Sequence, residues 1–238
     1  MNTATFHFPL VRKRQIAENT FEFTFNTQNT DYLFRPGQYA YVSLIHHNLG
    51  DQSRIFSFVN APRPTGEVII AARIRAQSDY KQALAHLQPG EVAEFSRALG
   101  FFDLPANKGI PIVMMAGGIG IVPFLSLLES EAHAASTRPI ELYISHQSPE
   151  SEVYMKEIKG LAPRLPNLIL HQTYTQKYPT AWHGKKGRFT TDDFSFQLNT
   201  HFYVAGTPAM TDHIISQLRS LDIPLSHIFM EAFSGYEI

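Results

Sequence analysis

Two short segments of the chain carry residue types suited to a phosphorylated ligand with a flat ring. The first is Ala116-Gly117-Gly118-Ile119-Gly120-Ile121-Val122-Pro123, which follows an apolar run. Gly117, Gly118 and Gly120 let a backbone approach a ligand closely, and Pro123 suits the first turn of a helix whose N–H groups can face a pyrophosphate. Such a turn also forms with no ligand at all, and Pro123 stands where the dinucleotide fingerprint has its third glycine. The second segment, Arg54-Ile55-Phe56-Ser57, puts a cation, an aromatic ring and a hydroxyl within four residues of one strand. An arginine can neutralise a phosphate, a ring can stack on a heterocycle, and a serine can hydrogen-bond a ring nitrogen. Strand alternation puts Arg54 and Phe56 on one face, with Ser57 on the other or at a bend. A surface arginine beside a core phenylalanine gives the same tetrapeptide.

Other chemistries find little support. The strand end Ser145-His146-Gln147 has neither an acid for a ribose 2′-hydroxyl nor an arginine for a 2′-phosphate, which leaves NADH against NADPH open. Lys177, Lys185, Lys186 and Arg188 follow in a later loop, as a source of positive charge or as plain solvated surface. The 11 histidines are scattered without a metal-ligand spacing, His46 and His47 would point to opposite faces of a strand, and no metal site is expected. Ser57 and Ser145 lack the Gly-x-Ser-x-Gly context of an acyl-transfer nucleophile. With no cysteine, the chain cannot use a thiol nucleophile, a disulfide or a cysteine-bound iron–sulfur cluster.

The elements that must position these groups change character part-way along the chain. Residues 6–10, 21–26, 39–44, 55–59, 68–75 and 92–95 read as short strands separated by turn formers, which predicts an antiparallel barrel. One helix interrupts them, with Tyr80, Leu84 and Leu87 on one face and Pro89-Gly90 closing it. After 103–109 the pattern alternates between strands (112–115, 140–145, 168–173, 202–205, 228–231) and helices around Tyr154–Leu161 and Met210–Leu221, which predicts a βαβ series with a parallel sheet. The expected domains are 1–105 and 106–238.

Bulk charge excludes another class. Twenty Lys+Arg against 21 Asp+Glu give a net charge of -1 with no like-charge run, so nucleic acid is not an expected partner. Residues 110–128 carry no charge over nineteen positions, but their glycines and prolines fit a strand, turn and helix start better than a membrane span. The first residues, Met1 to Thr5, lack a signal-peptide pattern, and a cytoplasmic protein is expected.

Taken together, the two halves resemble the ferredoxin-NADP reductase family of flavin-dependent oxidoreductases over essentially the whole chain. The resemblance rests on Arg54-Ile55-Phe56-Ser57 in a barrel, followed by Gly117-Gly118-Ile119-Gly120-Ile121-Val122-Pro123. It implies a flavin-binding barrel followed by an NAD(P)-binding α/β domain. Arg54 would then meet a flavin phosphate and Ser57 would lie near flavin N5. Phe56, where the family has tyrosine, would keep the stacking and lose the phenol. Arg35-Pro36-Gly37-Gln38-Tyr39 resembles the turn before a barrel strand, and Gly100-Phe101-Phe102 the close of the barrel. By the same resemblance, Arg73 and Ile74 would reach the flavin ring edge. Ser78 would bond an FAD pyrophosphate, or else serve as a plain helix cap.

In the second half, Val204-Ala205-Gly206-Thr207-Pro208-Ala209-Met210 resembles the family's Cys-Gly-x-Pro-x-Met turn, with Ala205 in place of the cysteine. Glu231-Ala232-Phe233 resembles its closing motif, with Glu231 near the nicotinamide and Phe233, or alternatively Tyr236, covering the flavin. The implied function is hydride transfer from NAD(P)H to FAD, with FMN less favoured. Electrons would then pass to a separate acceptor: a ferredoxin, a flavodoxin, an oxygenase component or a small molecule. An electron-transfer subunit of a larger complex, a reductase using flavin as a passing substrate and a catalytically silent nucleotide-binding module are the competing readings.

Overall fold

The computed structural model describes residues 5–27, 30–45, 49, 52–194 and 196–233; His46, His47, Tyr236 and residues 1–4 lie outside them. The first half forms a six-stranded antiparallel sheet from β1 (Thr5–Ala17), β2 (Thr20–Asn26), β3 (Tyr39–Leu44), β4 (Ser53–Ser57), β5 (Glu67–Arg73) and β6 (Val92–Ser96), with α1 (Asp79–His86) between the last two. The spatial order is β4-β3-β6-β1-β2-β5. The outer strands approach one another where Val59 N–H donates to the Ile69 carbonyl at 2.9 Å, giving the sheet its barrel form. Alternation along β2 sends Phe23 and Phe25 inward to join Phe8, Phe58, Phe95 and Tyr80 in a core closed to solvent.

The second half is a five-stranded parallel sheet of β7 (Ile112–Gly117), β8 (Ile140–His146), β9 (Leu168–Tyr174), β10 (His201–Gly206) and β11 (Ile228–Ala232), in the order β11-β10-β7-β8-β9. Helices α2 (Val122–His133), α3 (Met155–Leu161) and α4 (Pro208–Ser220) make three of its four connections, and a loop with one 3₁₀ turn leads from β9 to β10. The chain runs outward from β7 to β9 and then returns to place β10 on the other side of β7. The strand order therefore reverses between β7 and β10, a place where open α/β sheets leave a crevice at their C-terminal ends.

Both halves thus have the expected architecture, with three local differences. β1 extends to Ala17, well beyond residues 6–10, because it pairs with β6 over Thr5–Pro9 and then crosses to β2, with irregularities at Leu10/Arg12 and Gln15/Ala17. Its second part is mostly solvent-facing and so lacks the apolar alternation that marks a strand in sequence. β4 begins and ends two residues earlier than expected, and β5 stops at Arg73. The uncharged stretch 110–128 is β7, a 3₁₀ turn (Gly118–Ile121) and the start of α2. Helix α2 is apolar nearly all round because it lies between the barrel residues Val59, Ile69 and Ala71 and the parallel sheet. No described helix is long and apolar enough to cross a membrane.

Polar contacts fasten the two halves along this helix. The buried Ser126 hydroxyl donates to the Asn60 carbonyl at 2.9 Å. Glu129 accepts from Ala61 N–H at 2.8 Å and from Arg63 at 2.6 Å. Elsewhere the buried Glu22 of β2 accepts from Arg14 and from the Tyr154 hydroxyl, each at 3.0 Å. Glu129→Ala leaves the Ala61 N–H and the Arg63 guanidinium without their acceptor. It should lower stability by about 2 kcal/mol, measured as a shift of the urea midpoint at constant slope. An unchanged midpoint would mean that this contact does not hold the seam.

Candidate active site

A cavity of about 1050 Å³ opens between the two sheets, and its walls draw on both. From the parallel sheet come the turns at the reversal point. A side chain on Gly117 would strike Met210 Sδ at 2.2 Å, and one on Gly120 would strike the Ala205 carbonyl oxygen at 2.2 Å. Glycine here lets the β7 turn pack directly on the β10 turn. Pro123 opens α2 and Pro208 opens α4, as expected of prolines in a first helical turn.

From the barrel come Arg54, Ile55, Phe56 and Ser57 of β4. Arg54 and Phe56 do share a face: the guanidinium lies 5.3 Å from the Tyr80 ring centre, and the Phe56 ring stacks on Tyr80 at 6.1 Å. Buried Tyr80 thus holds both, and its own hydroxyl is anchored on the Val42 carbonyl at 2.7 Å. Ser57 is buried on the opposite face, where its hydroxyl donates to Glu231 Oε1 across the seam from β4 to β11.

The barrel wall is strongly cationic. Arg54, Arg73, Arg75 and Lys81 line it, with Glu18 and Asp79 as the barrel-side acids among the described lining. Burial lowers the pKa of the Lys81 ammonium below its usual range, and the neighbouring Arg75, Arg54 and Arg73 lower it further. Four cations held this close fit a ligand with more than one phosphate. Ser78 lines the same wall and caps α1, accepting from Lys81 N–H at 3.3 Å.

Glu231 is the second electrostatic feature. Burial pushes its carboxyl up to about 7, while the Ser57 hydroxyl pulls the other way. Its Oε2 is buried without a hydrogen-bond partner among the described residues. The pair can therefore hold or release a proton near neutral pH inside the cavity. His146 lines the opposite wall, where burial lowers its imidazole to about 4 against the pull of the Ser151 backbone; neither ring nitrogen completes a hydrogen bond among the described residues.

Thirteen of the seventeen expected site residues line this cavity: Arg54 to Ser57, Arg73, Ser78, Gly117, Gly118, Gly120, Gly206, Met210, Glu231 and Phe233. Four do not. Ile74 packs against the barrel core while its N–H donates to the Asn19 carbonyl. Ala205 is closed within the sheet, Pro123 is buried in the first turn of α2, and Pro208 is exposed to solvent in the first turn of α4. Sequence reasoning missed Tyr39, Arg75, Lys81 and His146 as wall residues. The density of cations at 73, 75 and 81 was a usable signal for two of them; nothing local distinguishes Tyr39, whose place follows from its pairing with Ser57.

Comparison with known proteins agrees with this layout. Residues 114–215 match the family model of the oxidoreductase NAD-binding domain. The chain is 27% identical over 229 residues to the toluate 1,2-dioxygenase electron transfer component of Pseudomonas putida, covering 93% of this chain and 66% of that protein. It superposes on a ferredoxin NADP+ reductase from Neisseria gonorrhoeae with bound FAD and NADP at a TM-score of 0.80 and 20% identity, over 96% of this chain and 98% of that one. The chain shares the two-domain fold of that reductase. It also superposes on a flavohemoglobin from Malassezia yamatoensis with bound FAD and heme, at a TM-score of 0.86 and 21% identity, covering 98% of this chain and 61% of that one. The chain spans less than two thirds of the length of its toluate relative.

Because the Glu231 pKa is raised from 4.5 by folding, its protonated form stabilises the fold fully below about pH 4.5, and that contribution is lost as pH rises through about 7. The melting temperature should therefore fall between about pH 5 and about pH 8, and Glu231→Gln should reduce that fall. Parallel pH profiles for the two proteins would show that Glu231 does not titrate as its burial requires.

Proposed function

We propose that the chain is a flavin-dependent NAD(P)H reductase, with residues 1–105 holding FAD and residues 106–238 holding the nicotinamide nucleotide. The reading is carried by one observation: a single cavity joins a four-cation wall, the Ser57–Glu231 pair and the glycine turns at the strand-order reversal. The cations favour FAD over FMN because they can neutralise a second phosphate. A bound flavin would supply an acceptor for hydride and a donor of one or two electrons to what comes next.

The chain's own part is binding, orientation and proton control. Arg54, Arg73, Arg75 and Lys81 hold the phosphates, and the Tyr80-braced ring of Phe56 presents a flat apolar face. The turns at Gly117–Gly120 and Gly206–Met210 give the nucleotide backbone N–H groups and the start of a helix. Ser57 and Glu231 keep a shared proton where the two ligands would meet, with Phe233 covering that end of the cavity. Electrons leave to an acceptor outside these 238 residues, none of which is a cysteine that could hold an iron–sulfur cluster. The toluate relative's description as an electron transfer component supports an oxygenase component as that acceptor. A cytoplasmic setting, where reduced nicotinamides are abundant, fits the reading.

The purified protein should show a flavin visible spectrum, or acquire one on adding FAD, and should bleach when NADH or NADPH is added without oxygen. A protein that neither binds FAD nor reduces free flavin would sink the proposal. Arg54→Ala should weaken FAD retention about tenfold or more through loss of a charge-assisted contact. Glu231→Gln should slow flavin reduction about tenfold or more while leaving FAD content unchanged. Rapid-mixing spectra and flavin content per chain separate the two effects, and equal values in both variants would refute the assignments.

A further inference from the structure

We infer that Arg188 makes this site select a nucleotide bearing a phosphate on the adenosine ribose, so that NADPH is preferred to NADH. The inference deepens the reductase reading and rests on it. The C-terminal end of β8 brings Ser145 and Gln147 to the cavity wall without a charge of either sign. In an open α/β sheet this strand end faces the adenosine ribose. An acid there holds the free 2′-hydroxyl of NADH, and an arginine accommodates the 2′-phosphate of NADPH. No aspartate or glutamate lines the cavity between residues 143 and 214 among the described residues.

The loop after β9 brings the missing charge. Of its four cations, Lys185 pairs with Asp193 at 2.8 Å, and Lys186 lies over the Tyr178 ring at 5.1 Å. Lys177 does not line the cavity, and its charge acts on Glu150. Arg188 does line the cavity and makes no hydrogen bond or ion pair with the described residues.

Its backbone is also held in place, unlike that of a residue on a free surface loop. On one side, Gly187 N–H donates to the Tyr174 carbonyl at 2.7 Å, and the Thr173 hydroxyl lies 2.7 Å from the Gly187 carbonyl. On the other, Phe189 sets its ring edge-on against Tyr143 of β8, with centres 5.2 Å apart. Arg188 is thereby fixed between β9 and the end of β8 with its guanidinium uncommitted. A dianionic phosphate is the partner that a planar five-donor cation in a wall without carboxylates recognises best.

The test uses the purified protein saturated with FAD, titrated calorimetrically with adenosine 2′,5′-bisphosphate and with adenosine 5′-monophosphate. The bisphosphate should bind about tenfold or more tightly than the monophosphate, as expected for one charge-assisted contact. Arg188→Ala should abolish that preference and leave monophosphate binding unchanged, and Arg188→Lys should keep part of it. Equal affinities in the wild type, or a preference that survives Arg188→Ala, would overturn the inference. Flavin reduction by NADH and NADPH is recorded alongside. If both nicotinamides bleach the flavin but the adenosine nucleotides are not discriminated, only the Arg188 assignment fails. If neither nicotinamide bleaches it and neither nucleotide binds, the reductase reading fails as well.

Discussion

Helix α2 is the element on which the geometry of the cavity depends. It starts at the glycine turn of β7, is buried on both sides, and is tied to the barrel through Ser126 and Glu129. A helix that packs on two layers fixes their separation and angle at once, because interiors are close-packed and resist sliding. The turn at its N-terminus is thereby set opposite the end of β4. Without that constraint, the two halves would each keep a core of their own and share no defined site.

The seam also determines the electrostatics. Ser57 and Glu231 belong to different sheets and are 174 positions apart, yet folding brings them into direct hydrogen bonding. Water is excluded from the carboxylate by the same packing, and the charged form loses solvation that one hydroxyl replaces only in part. A near-neutral carboxyl is therefore a product of the domain arrangement. Neither sheet alone would create it.

Much of this was legible in the sequence. The change from short alternating strands to strand–helix alternation located both sheets, and Arg54, Phe56 and Ser57 fell on the faces that period-2 alternation assigns them. The second part of β1 was not legible, because a strand that is mostly solvent-facing needs no apolar pattern. The remainder of α2 was hard to read for the opposite reason: a helix covered on both sides shows no polar stripe. The Ser57–Glu231 contact, the burial of His146 and the place of Arg188 arise from topology, where residues far apart in sequence meet at a strand-order reversal. Local pattern carries no record of such meetings.

The cationic wall has a further consequence for the fold itself. Arg54, Arg73, Arg75 and Lys81 come from β4, from β5 and the segment after it, and from α1, and the like charges of the first three oppose the ionisation of Lys81. The folded chain therefore contains a region of mutual repulsion that solvent and salt relieve only in part. A polyanion seated there removes the repulsion while bridging strand, loop and helix, so occupancy and folding are thermodynamically linked. In this light a polyanionic ligand of the barrel would be a structural component as much as a reagent, completing the charge balance that this wall leaves open.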